Sequence, residues 1–162
     1  MEKEERSAGI KILDFLCNGA TVEGLMFYGL KLHISESESN SDRIKGQIYI
    51  NIESDFCIFD TMPKEIPLHD DLPKLNLVES SKLLCELRLK KIKDISLSKK
   101  SPHLFLTFET GEVLFIWGHH DKYESWQVGV IDTSMDNDIW LVVACPNDSL
   151  AVWGPEDILG KN

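Results

Sequence analysis

Apolar and polar residues change period several times along this chain, and each change marks an element. In "SAGIKILDFLCN" (residues 7–18) the apolar residues Ile10, Leu13, Leu16 and Cys17 recur at spacings of three and four, one face of a helix. Ser7 is a candidate cap, Gly19 a candidate stop, and the helix is expected over 9–17. Residues 21–28 carry no clear period. "GLKLHIS" then alternates Leu30, Leu32 and Ile34 with Lys31 and His33, and "GQIYINIES" alternates Ile48, Ile50 and Ile52 with Gln47, Tyr49 and Asn51. Both read as half-buried strands, joined as a long hairpin through the polar loop "SESESNSDR", which is expected to be mobile.

Residues 60–76 contain Pro63, Pro67 and Pro73 and are expected to be irregular. A second helix is expected over 77–87. Asn76 is a fair N-cap with Glu79 three residues on, and Leu83, Leu84 and Leu87 form the stripe. Beyond it the period is two. Strands are expected in "LKKIKDISL" (with a bulge), "HLFLTF", "VLFIW", "ESWQVGVI", "IWLVVAC" and "SLAVW", with type I turn chemistry at Pro146-Asn147-Asp148. "IWLVVAC" is apolar on both faces, as an interior strand is. The expected fold is α+β: a mainly antiparallel β-meander of about seven strands with two short helices, in a single domain over 1–162.

Charge narrows the partners. The net charge is -10, which disfavours nucleic acid and anionic membranes. It is unevenly spread. Lys82, Arg88, Lys90, Lys91, Lys93, Lys99 and Lys100 face only Glu86 and Asp94 within 82–100, whereas residues 101–162 hold ten acids against Lys122 and Lys161. The basic run has no interleaved aromatic residues and reads as the solvent face of a helix and strand. Four cysteines (Cys17, Cys57, Cys85, Cys145) without a C-x-x-C pair read as small buried hydrophobes in a reducing compartment. The N-terminal "MEKEERSAG" is unlike a signal peptide, and no apolar run reaches the roughly 20 residues a span needs. A cytoplasmic protein is expected.

Candidate chemistry is thin. His119-His120-Asp121 invites a metal reading, but adjacent side chains diverge, and neither H-x-x-x-H nor H-x-H is present. No metal and no cofactor is expected. There is no G-x-S-x-G, P-loop or G-x-G-x-x-G. "DTSMDND" (132–138) fails the EF-hand spacing, with Asn137 where Gly is needed and Val143 where Glu is needed. Trp117, Trp126, Trp140 and Trp153 fall on expected strands, where an outward-facing one would anchor a partner.

The stretches "KKIKDISLSKKSPHLFLTFETGEVLFIWG", "YESWQVGV" and "LVVACPNDSLAVWG" resemble small bacterial proteins that include immunity proteins, which neutralise toxin domains delivered to competitors. The resemblance covers roughly 89–154 and implies a non-enzymatic protein that covers a toxin's active surface. Many such toxins are nucleases, basic around the substrate groove. An acidic surface suits one, and the expected contacts are Asp121, Glu124, Asp132, Asp136 and Asp138. The partner is then a protein, the cognate toxin domain, with neither nucleic acid nor membrane. Two alternatives remain. One is a small enzyme assembled from dispersed residues such as His119, His120, Glu109 and Cys145; the other is an adaptor subunit with a different partner.

Overall fold

The structure, a computed structural model, describes residues 1–131 and 138–160. Among them are α1 (Lys3–Cys17), β1 (Val22–Met26), β2 (Lys31–Ile34), β3 (Gln47–Ile52), β4 (Phe56–Phe59), a 3-10 turn (His69–Asp71), α2 (Leu77–Cys85), β5 (Ile92–Leu97), β6 (Leu104–Phe108), β7 (Val113–Ile116), β8 (Trp126–Ile131), β9 (Leu141–Cys145), β10 (Ser149–Trp153) and the one-turn α3 (Glu156–Leu159). The fold is α+β with antiparallel pairing throughout, as the alternation predicts, though with ten strands rather than about seven.

The strands form two sheets rather than one sequential meander. A six-stranded sheet runs β1-β2-β3-β8-β9-β10, and a four-stranded sheet runs β4-β7-β6-β5. The pairing that creates this arrangement is β3 with β8, from Gln47↔Ile131 to Ile52↔Trp126. Ile48, Ile50, Val128, Val142 and Ala144 of the larger sheet share one hydrophobic cluster with Leu104, Leu106, Leu114 and Ile116 of the smaller. Ile12, Leu13 and Leu16 of α1 join the same cluster. The other face of the small sheet carries Phe105, Val113 and Phe115, which Leu72 of the proline-rich segment covers. That explains why "VLFI" is buried at every position.

The hairpin of β2 and β3 forms as expected, but its loop is tied down. Asn40 is buried; its Oδ1 accepts from the Ser37 amide at 2.8 Å and its Nδ2 donates to the Phe15 carbonyl at 2.7 Å. The bulge in β5 is present between Ile92 and Asp94. β9 is an interior strand, between β8 and β10. The capping box of α2 is present, with Asn76 Oδ1 accepting from Val78 and Glu79 and the Glu79 carboxylate accepting from the Asn76 amide.

Other expectations shift. α1 begins at Lys3, not at Ser7, because Glu2 and Glu5 form a capping box that carries the charged N-terminus into the helix. Gly19 ends it at φ 81°, a left-handed position open to glycine at no steric cost. At the β9–β10 turn Asn147 and Asp148 both have φ 59°. Two consecutive positive φ values depart from the type I turn expected there, whose central residues both have negative φ. Of the four free cysteines only Cys17 is fully buried, and Cys85 is exposed. Among the described residues no helix is long and apolar enough to cross a membrane.

Candidate functional site

The loop that raised the metal question, "WGHHD", forms one wall of a cleft of about 870 Å³ at one end of both sheets. Ile52 and the β3–β4 turn (Glu53, Ser54, Asp55) supply a second wall. His69, Pro73, Leu75, Leu77 and Ser80 come from the irregular segment and α2, Leu30 from the β1–β2 turn, and Tyr123, Glu124 and Ser125 from the approach to β8. Backbone hydrogen bonds lock these pieces together. Glu53 N–H donates to the Ser125 carbonyl at 3.0 Å, Trp117 N–H to Asp55 at 2.9 Å, and Asn147 N–H to His120 at 3.0 Å.

Each histidine is held by a different device. His119 Nδ1 lies 2.8 Å from an Asp148 carboxylate oxygen. Burial works against the charge on Asp148, but hydrogen bonds from His119 and Ser101 outweigh it and hold the carboxyl below its ordinary range. The left-handed turn at Asn147 and Asp148 is what presents this carboxylate. His120 Nδ1 accepts from the amides of Lys122 and Tyr123, both at 3.0 Å, which leaves the ring proton on Nε2. His69 Nε2 lies 2.9 Å from Asp55, whose same oxygen takes Lys74 at 2.6 Å. Trp117 lies between His69 and His103, with ring centroids at 4.9 and 4.2 Å.

His103, just behind this wall, is 5% exposed and accepts the Gly118 amide on Nδ1 at 2.9 Å. Burial pushes its pKa down from 6.5 to about 4, against a smaller upward pull from Asp148. A folded pKa below the unfolded one means stability that is complete above pH 6.5 and drains as pH falls toward about 4. Denaturant titrations at pH 7 and pH 4.5 should therefore differ by about 2 kcal/mol. The difference should shrink in His103→Gln. Equal pH dependence in the two proteins would contradict the assignment.

The structure unites some of the anticipated contact residues and separates others. Asp121 and Glu124 both line the cleft, where they meet Glu53 and Asp55. Glu53 accepts from Asn51 Nδ2 at 2.5 Å and Glu124 from Gln127 Nε2 at 2.5 Å. Asp138 sits beyond the opposite end of β8, in contact with Arg43 at 3.2 Å, which also pairs with Asp157 at 2.6 Å. Asp132 and Asp136 lie outside the described residues. Glu53, Asp55 and His69 were not anticipated; no local pattern marks them, because only the β3–β8 pairing and the proline-rich crossing bring them here.

Of the dispersed enzyme set, Glu109 stands apart from the two histidines. Glu109 belongs to the β6–β7 turn, at the far end of β7 from His119, and lies 3.7 Å from Lys91. Cys145 is half-buried at the end of β9, and burial pushes its thiol up, away from thiolate. Among the described residues no three His, Cys, Asp or Glu groups are placed to share a metal ion. Part of the basic run is neutralised, Lys90 by Glu112 and Lys91 by Glu109. Of the tryptophans, Trp126 and Trp140 are core, Trp117 is half-buried in the cleft wall, and Trp153 is 45% exposed. Comparison with known proteins leaves the site to stand on its geometry: no protein-family model matches the chain, and no curated protein or solved structure shows a significant match.

Proposed function

We propose that this chain is a non-enzymatic immunity-type protein that binds and blocks a cognate toxin domain through its acidic cleft face. The observation that carries the reading is the gathering of Glu53, Asp55, Asp121 and Glu124 around one cleft with no Lys or Arg in its lining. Tyr123 stands beside them 68% exposed, an amphipathic anchor of the kind that interfaces concentrate. With Asp55 paired to Lys74, the field of Glu53, Asp121 and Glu124 at a concave surface accelerates encounter with a basic protein, and a nuclease groove is such a surface.

The test is capture of the neighbouring gene product by the purified chain. Asp121→Lys with Glu124→Lys should weaken binding by about 10-fold or more, and rising salt should act chiefly on the association rate. Asp136→Lys with Asp138→Lys, at the other end of β8, should have a smaller effect. If neither pair nor salt alters capture, the electrostatic account fails.

A further inference from the structure

We infer that α2 and the β1–β2 turn form the surface through which this chain pairs with a second copy of itself. α2 is inverted for a surface helix. It buries Ser80 and Ser81 beside Leu84, with Ser81 Oγ donating to the Leu77 carbonyl at 2.6 Å, and leaves Leu77 and Val78 exposed. The β1–β2 turn adds Phe27 and Tyr28, 65% and 86% exposed. Between the two elements lies an apolar hollow of about 440 Å³, lined by Phe27, Leu77, Val78, Ser81, Lys82 and Cys85. Leu89, one turn beyond Cys85, is also exposed and has φ 64°, in the left-handed region that glycine enters freely and leucine enters under strain. The fold uses its amide, which donates to the Val22 carbonyl at 2.8 Å, and holds the side chain in solvent.

Two features point to a second copy as the occupant. The first is area. Together with Met26, these exposed apolar residues present roughly 700 Å² of accessible surface, close to the ~800 Å² that each partner brings to an interface of standard size. The second is charge. A net charge of -10 makes two copies repel over most of their surface, whereas exposed Glu79, Lys82, Glu86 and Arg88 intersperse both signs here. Val78, Lys82, Glu86 and Leu89 follow one another at helical spacings of four, four and three, and all four are exposed on the outward side of α2 and the turn that continues it. Reversed, this order of apolar, basic, acidic and apolar complements itself, as a two-fold contact requires. An axis near residues 83 and 84 runs α2 antiparallel to its counterpart. It sets Val78 against Leu89 of the second copy and Lys82 against Glu86 of the second copy, each pair occurring twice. Among the described residues neither Lys82 nor Glu86 takes part in an ion pair, so both are available.

The test is sedimentation equilibrium of the full chain from about 1 μM to about 500 μM, where a dimer with a dissociation constant on the order of 10 μM is expected. Val78→Asp alters an exposed residue and places an acid in the first turn of a helix, where it is well tolerated. It should weaken the dimer by about 10-fold or more and leave the circular dichroism spectrum unchanged. Lys82→Glu and Glu86→Lys should each weaken self-association by about 5-fold or more, because each sets like charges against one another twice. Mixed in equal amounts, these two variants should form a heterodimer as tight as the parent dimer, since every facing pair is again opposite in sign. A parent chain that stays monomeric throughout the range overturns the inference, as does a dimer that Val78→Asp leaves unchanged. Charge variants that dimerise like the parent, or that do not recover on mixing, overturn the antiparallel pairing. A monomeric parent whose capture of the neighbouring gene product falls in Val78→Asp also overturns self-pairing and gives this surface to the toxin.

Discussion

Trp126→Ala is expected to lower the free energy of unfolding by about 3–5 kcal/mol, a large share of the total for a domain of this size. Trp126 is fully buried at the start of β8 and packs in the cluster shared by the two sheets. Truncation leaves a cavity where both sheets and the cleft floor meet. It also removes the indole N–H that donates to the Pro102 carbonyl at 2.7 Å, leaving a buried acceptor unpaired. Trp126→Phe separates the two losses, since it keeps most of the volume and gives up only the hydrogen bond and a smaller void. It should cost about 1–3 kcal/mol. Urea titration followed by circular dichroism reads both, and an alanine variant within about 1 kcal/mol of the parent would mean that Trp126 does not hold this junction.

Gly118→Ala is expected to cost about 3 kcal/mol or more, although it adds only one methyl group. A Cβ at position 118 would stand 2.0 Å from the Pro102 carbonyl oxygen, 2.3 Å from its carbon and 2.7 Å from the His103 amide nitrogen. These are backbone atoms with no rotamer to yield, so the two segments must part. Parting them breaks the bond from the Gly118 amide to His103 and draws Pro102 away from Trp126. Gly24→Ala is the control, because the nearest atom there is His33 Cβ at an ordinary 3.8 Å. It should be close to neutral. Both Gly118→Ala and Trp126→Ala act on Pro102, so the double variant should lose less than the separate losses combined. A melting temperature unchanged in Gly118→Ala would refute the clash.

Reading the chain by period worked where one face of an element is wet. β2, β3 and the α2 cap were legible because polar and apolar positions alternate or because a capping pair stands at the right spacing. β4, "FCIF", was not legible, since four apolar residues in a row show no period, and its burial comes from β7 and the proline-rich crossing. The division into two sheets was hidden for a related reason. Nothing local to "QIYINI" says that its second neighbour is "WQVGVI" rather than the next strand along the chain. The candidate site followed the same pattern. Asp121 and Glu124 stood out as loop acids, while Glu53 and Ser125 gained their meaning only from the backbone bond that joins them across β3 and β8.

The pairing of β3 with β8 also bears on how the chain reaches this state. Every strand of the four-stranded sheet, and α2 with it, lies in the sequence between those two partners. The small sheet is built from hairpin neighbours and one return strand, so most of its contacts close short loops. The large sheet can be completed only by closing a loop that contains the small one. Loop-closure entropy therefore favours an order in which residues 56–116 compact first and shorten the effective span that β3 and β8 must bridge. Until that bridging occurs the cleft does not exist, because its two acidic walls belong to strands that have not met.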